Sequence, residues 1–108
     1  MVWRIEFTTR ATRLLRKLDR PVQAALLEGL DGLLRELNTG SELPNVEANV
    51  TKMVGIEPAE WRLRTGDYRA RFYVEQRAIE GGEPDKVADT EGVVVVFKVG
   101  HRREVYRD

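Results

Sequence analysis

The chain opens on Val2 to Phe7, where Val2, Trp3, Ile5 and Phe7 set an apolar pattern broken by Arg4 and Glu6, as a β-strand does. The period then lengthens. Ala11, Leu14, Leu15 and Leu18 fall on one side of a helix that Thr8 or Thr9 can cap, and Arg10, Arg13, Arg16, Lys17 and Arg20 fall on the other. Asp19-Arg20-Pro21 interrupts that helix and starts a second, because proline suits the first turn of a helix and not its interior. The second helix is expected from Pro21 to Leu37 or Asn38, with Val22, Leu26, Leu30, Leu33, Leu34 and Leu37 as its apolar stripe and Asn38-Thr39-Gly40 as its stop. Gly29 and Gly32 inside it fit best where the helix packs closely on a neighbour.

Ser41 to Val50 reads as a polar loop, Thr51 to Val54 as a very short strand ended by Gly55, and Glu57-Pro58-Ala59-Glu60 as a turn. From Trp61 the period is two. Trp61 and Leu63 point one way and Arg62 and Arg64 the other; after a turn at Thr65-Gly66-Asp67, Tyr68, Ala70, Phe72 and Val74 oppose Arg69, Arg71 and Tyr73. Ala78 to Gly92 reads as a long acidic loop extending a hairpin. Val93 to Phe97 is a continuous apolar run, the pattern of a central strand buried on both faces, and Gly100 ends it. The expected fold is α+β, with order β-α-α-β-β-β(β) and an antiparallel-dominated twisted sheet packed against an N-terminal helical hairpin. At 108 residues, one domain spanning 1–108 is expected.

Composition narrows the chemistry. There is no cysteine and only one histidine without a nearby carboxylate constellation, so disulfides, thiolate chemistry and zinc are set aside and no metal or cofactor is expected. No apolar run approaches membrane-spanning length and no leader pattern opens the chain, so a cytoplasmic location without membrane contact is expected. Lys plus Arg and Asp plus Glu number 18 each, but the charge is segregated. Trp61 to Val74 holds four arginines against Asp67, whereas Glu80 to Glu91 holds five acids against Lys86.

Arginines at alternate positions of adjacent strands project from one sheet face, a spacing suited to successive phosphates, and guanidinium binds phosphate bidentately. Tyr73 and Tyr106 can offer stacking planes for bases. Cleavage of RNA by its own 2′-hydroxyl needs no metal, only proton transfer and cations on the phosphorane; His101 titrates in the right range, and Arg62, Arg64, Arg69 and Arg102 can supply the cations. The alternative is a solvated face with Arg62 and Arg64 paired to Glu60, Glu75 and Asp67, and a histidine that merely decorates a turn.

Trp-Arg-Leu-Arg-Thr-Gly-Asp-Tyr-Arg, followed by Val-Val-Val-Val-Phe-Lys-Val-Gly-His-Arg-Arg-Glu-Val-Tyr, resembles the RelE/ParE superfamily of toxins, over almost the whole chain. The resemblance implies the toxin of a type II toxin–antitoxin pair. In the RelE branch that means a ribosome-dependent endoribonuclease cutting messenger RNA in the A site, with a cognate small antitoxin as partner; a monomer alone or a hetero-oligomer with the antitoxin is expected. The family's catalytic positions fall on Arg62, Arg64, Arg69, His101, Arg102 and Tyr106, and Lys52, Arg71, Tyr73, Lys98 and Arg103 complete the expected RNA-contacting surface. Both strand positions are arginine here, where relatives often carry lysine, which shifts the expected proton transfer to His101. The ParE branch, which inhibits DNA gyrase by binding, and an inactive binding or repressor module are the alternatives.

Overall fold

A computed structural model describes residues 1–43, 50–53, 55, 59–83 and 85–106. In chain order the elements are β1 (Val2–Phe7), α1 (Thr9–Arg16), α2 (Arg20–Asn38), β2 (Val50–Lys52), β3 (Trp61–Thr65), β4 (Tyr68–Ala78) and β5 (Thr90–His101), with a short 3₁₀ turn at Val87–Asp89 before β5. The five strands form one sheet in the order β1-β5-β4-β3-β2. β1 runs parallel to β5 and every other pair is antiparallel. The expected α+β order is the observed one.

Both helices start where the residues dictate. The Thr8 side chain accepts a hydrogen bond from the Ala11 N–H at 3.1 Å, and Asp19 stands at the N-cap of α2 with proline in its first turn. The apolar stripes then meet the sheet: Ala11, Leu26, Leu30, Leu33 and Leu37 bury against Trp61, Leu63, Ala70, Phe72, Val94, Val96 and Val99. Gly29 lets α2 lie close on β3, because a methyl there would sit 3.1 Å from Leu63 Cδ2 and 3.2 Å from Thr65 Oγ1. Gly32 has no such contact. Gly92 admits the Trp3 indole, which lies where a side chain would otherwise project. At the outer edge of β1, Asn38 clasps the strand: its Oδ1 accepts from the Trp3 N–H at 2.8 Å and its Nδ2 donates to the Trp3 carbonyl at 3.2 Å.

The expected acidic loop is shorter than its composition suggests. β4 continues to Ala78 and β5 begins at Thr90, so the outer parts of the 78–92 stretch are paired strand. The short strand after the polar loop runs Val50–Lys52; the expectation at Val54 and the turn residues 57 and 58 lie outside the described residues. Among the described residues, no helix is long and apolar enough to cross a membrane, and no group of three or more potential metal ligands gathers.

One irregularity governs the placement of the C-terminal residues. Between Arg71 and Phe72 the β4–β5 register slips: Arg71 faces Lys98, but Phe72 faces Val96, leaving Phe97 as an extra residue in β5. The bulge reverses the alternation of β5. Before it, Val94 and Val96 face the helices; after it, Val99 does.

Candidate functional site

The sheet face away from the helices divides by charge. Toward β1, Arg4 and Arg77 are matched by three carboxylates. Arg77 binds Glu6 at 2.7 Å and Glu75 at 2.6 Å, and Arg4 binds Glu91 at 3.0 Å and Glu6 at 3.1 Å. The open side of Val93 and Val95 lies on the same face, and both residues are fully buried. Hydrogen bonds from Arg77 and then Arg4 hold the Glu6 carboxyl below its ordinary range.

Toward β3 the balance inverts. Strand pairing sets Arg62 directly opposite Arg71 and Arg64 directly opposite Arg69, a block of four guanidinium side chains on two adjacent strands. Like charges facing each other across a ladder are unfavourable unless something offsets them. Glu60 does so for one pair. Its buried carboxylate accepts from Arg71 Nη2 at 2.8 Å and Nε at 3.0 Å, and from Arg62 Nε at 3.1 Å. Burial pushes the Glu60 carboxyl up, but the hydrogen bonds from Arg71 and then Arg62 more than reverse this, and it sits below its ordinary value.

The second pair has no carboxylate among the described residues. Arg69 donates to the Gly66 and Tyr68 carbonyls at 2.8 and 2.9 Å, wrapping the β3–β4 turn, and Arg64 is exposed with no ion pair to any described residue. Gly66 makes that turn possible with φ of 57°. Arg102 closes the same corner: its N–H donates to the Asp67 carbonyl at 2.7 Å and its Nε lies 3.6 Å from Asp67 Oδ1.

After His101 the chain turns back over the face. The N–H groups of Glu104 and Val105 both donate to the His101 carbonyl at 2.8 Å, and Val105 buries against Gly100. Arg71 Nη1 donates to the Val105 carbonyl at 3.0 Å, and the Arg62 guanidinium lies 3.8 Å from the centroid of the half-exposed Tyr106 ring.

The structure therefore gathers Arg62, Arg64, Arg69, Arg71, Arg102 and Tyr106 at one end of the open face. Lys52, expected among the RNA contacts, is not with them: it pairs opposite Trp61, whose ring faces the helices, and its Nζ lies 5.8 Å from that ring. Three further expectations need correction. His101 does not join the arginines: the bulge pairs it with Tyr68 on the helix-facing side, edge to face at 5.4 Å. There it lines a cavity of about 410 Å³ with Leu14, Lys17, Leu18 and Tyr68, and its Nδ1 accepts from the Arg103 N–H at 3.1 Å. Lys98 pairs opposite Arg71 but is 5% exposed, too buried to present its ammonium as an RNA contact. Arg71 is a clamp between Glu60 and the tail, not a free phosphate donor. Tyr73 is half-buried against Phe97 at 5.9 Å, and Arg103 is exposed in the tail turn. Glu60 stood in the sequence only as a possible partner of Arg62, two residues away on the same strand face; its burial and its hold on Arg71 depend on the β3–β4 register.

A family model described as ParE toxin of type II toxin-antitoxin system, parDE, matches residues 5–106. The toxin–antitoxin complex RelBE2 from Mycobacterium tuberculosis contains a similar chain, at 27% identity and TM-score 0.57, covering 94% of this chain and 100% of that one. The RelB-RelE antitoxin-toxin complex from Methanococcus jannaschii contains another, at 18% identity and TM-score 0.59 over 93% of each chain, a likeness of fold. No curated protein sequence matches significantly.

Proposed function

The chain belongs to the ParE toxin family, within the RelE/ParE superfamily of type II toxin–antitoxin toxins, and on that premise we propose that it is a metal-independent endoribonuclease that cuts messenger RNA on the ribosome. The observation that carries the reading is the cross-strand pair Arg64/Arg69, two facing cations that no carboxylate among the described residues pairs with, on an open face. Such a pair is relieved by a bound anion, and guanidinium groups bind backbone phosphate through charge-assisted hydrogen bonds. Tyr106 at the rim supplies a plane on which a neighbouring base can stack.

In the proposed reaction the 2′ oxygen forms a bond to the adjacent phosphorus and loses its proton. The bond to the 5′ oxygen breaks, and that oxygen takes up a proton, leaving a 2′,3′-cyclic phosphate. Arg64 and Arg69, with the outer edge of Arg62, hold the charge that builds on the equatorial oxygens. His101 lies across the sheet, Glu60 is committed to two arginines, and Asp67 in the β3–β4 turn faces Arg102 at 3.6 Å. The reading therefore assigns proton transfer to the assembled ribosomal complex, and neutralisation to a cognate antitoxin, the kind of partner with which the two similar chains are complexed.

The test is to induce the protein in growing cells and map messenger 5′ ends. New ends within codons that vanish in the Arg64→Ala/Arg69→Ala variant support the reading, and their absence in the unaltered protein would sink it. The match to the ParE toxin family favours one second reading, inhibition of DNA gyrase by binding. Supercoiling assays with purified protein decide that one.

A further inference from the structure

We propose that Glu60 is the positioning residue of the arginine face: its one buried carboxylate sets the outward edge of Arg62 and the Tyr106 ring as a single unit for a phosphate and its neighbouring base. The assignment of the ligand rests on the ribonuclease reading. The mechanical linkage does not.

Glu60 lies two residues before Arg62, and the hydrogen bond from the Met53 N–H to the Glu60 carbonyl, at 2.8 Å, extends the β2–β3 ladder to include it. Glu60 therefore shares the open face with Arg62, yet its side chain is only 6% exposed. A carboxylate so placed is strongly unfavourable without partners. It has two. Arg71 meets it with Nη2 and Nε, the fork-to-fork geometry that fixes a guanidinium plane, while Arg62 gives it Nε.

What each arginine has left is the informative part. Arg71 turns its remaining terminal nitrogen to the Val105 carbonyl, so the tail turn is bonded, through one guanidinium, to Glu60. Arg62, held by Nε, has its guanidinium carbon 3.8 Å from the centroid of the Tyr106 ring. Both routes from Glu60 end on the tail within one residue of each other. Glu60 touches no ligand in this arrangement. It acts through Arg62 and Arg71, and a lysine at either place could not reproduce the fork and the stacked plane together.

The experiment compares Glu60→Gln with the unaltered chain by two readouts. The first is the side-chain NMR spectrum: the Arg62 Cδ protons should carry an upfield ring-current shift from Tyr106, and the Nε–H signals of Arg62 and Arg71 should be resolved. In Glu60→Gln the ring-current shift should collapse while the backbone amide spectrum of the strands stays in place. The second is affinity for a short single-stranded RNA at constant salt, expected to fall about tenfold with loss of one placed charge-assisted contact. Should Glu60→Gln fail to fold, Glu60→Asp keeps the charge, and its shorter reach should restore both Nε–H signals but only part of the RNA affinity. An unchanged Arg62 ring-current shift in Glu60→Gln overturns the proposal. Collapse of that shift in a protein whose unaltered form never binds RNA upholds the positioning role and removes the ribonuclease reading instead.

Discussion

Arg62 and Tyr106, 44 positions apart in the sequence, lie stacked with the guanidinium carbon 3.8 Å from the ring centroid. The contact sits at the surface, where a cation over an aromatic face contributes about 0.5–1 kcal/mol. It is therefore a latch on the tail rather than a pillar of the fold. Tyr106→Ala should leave the thermal midpoint nearly unchanged and expose the tail turn, which carries Arg102 and Arg103. Limited trypsin digestion should cut there several-fold faster than in the unaltered chain; equal rates would show that the ring does not hold the tail.

Arg64 and Arg69 face each other, and no carboxylate among the described residues pairs with either. Removing one should separate stability from function. Arg64→Ala is expected to raise folding stability by a few tenths of a kcal/mol, because like charges opposite each other cost about 0.2–1 kcal/mol. The same change should relieve growth arrest. Urea unfolding and a plate assay on the same variant check both directions, and a variant that loses stability along with toxicity contradicts the first.

Glu60 makes stability depend on pH. Its folded-state pKa is depressed, so its contribution is fully present above the ordinary carboxylate value of 4.5 and is lost as pH falls through the folded value. The gap in thermal midpoint between the unaltered chain and Glu60→Gln should be widest near neutrality and close as the solution is acidified below 4.5. A gap that persists undiminished at low pH would assign the effect to packing instead.

Gly92 is required by Trp3. A methyl there would fall 2.4 Å from the indole, so Gly92→Ala must displace the ring at about 1–3 kcal/mol. Trp3→Leu in the same chain should recover part of the loss. Denaturant midpoints of the two single variants and the double variant give the coupling, and strict additivity would count against direct contact.

The stripes of α1 and α2, the proline that restarts the helix and the alternation through β3 and β4 were legible because each depends on local periodicity that the tertiary packing reinforces. Arg62, Arg64 and Arg69 came out on one face for the same reason. His101 did not, and the cause is a single residue. Counting alternate positions from Val94 places His101 with the arginines, but Phe97 is extra in the β4–β5 ladder and shifts everything after it to the opposite side. Nothing in Val-Val-Val-Val-Phe-Lys-Val marks the bulge, since apolar residues on both sides of the strand erase the phase that alternation would otherwise carry. Glu60 was hidden differently: a glutamate next to arginines reads as surface charge until the register brings Arg71 over it.

The clasp of Asn38 on Trp3 has a consequence beyond holding α2 to the sheet. β1 is an outer strand, and an uncovered outer strand is a template on which another copy of the chain can lay its own strand. The Asn38 amide offers Trp3 the donor and acceptor that an incoming strand would bring, so that segment of the border is already answered from within. The device guards the molecule against edge-to-edge polymerisation by imitating the neighbour it excludes.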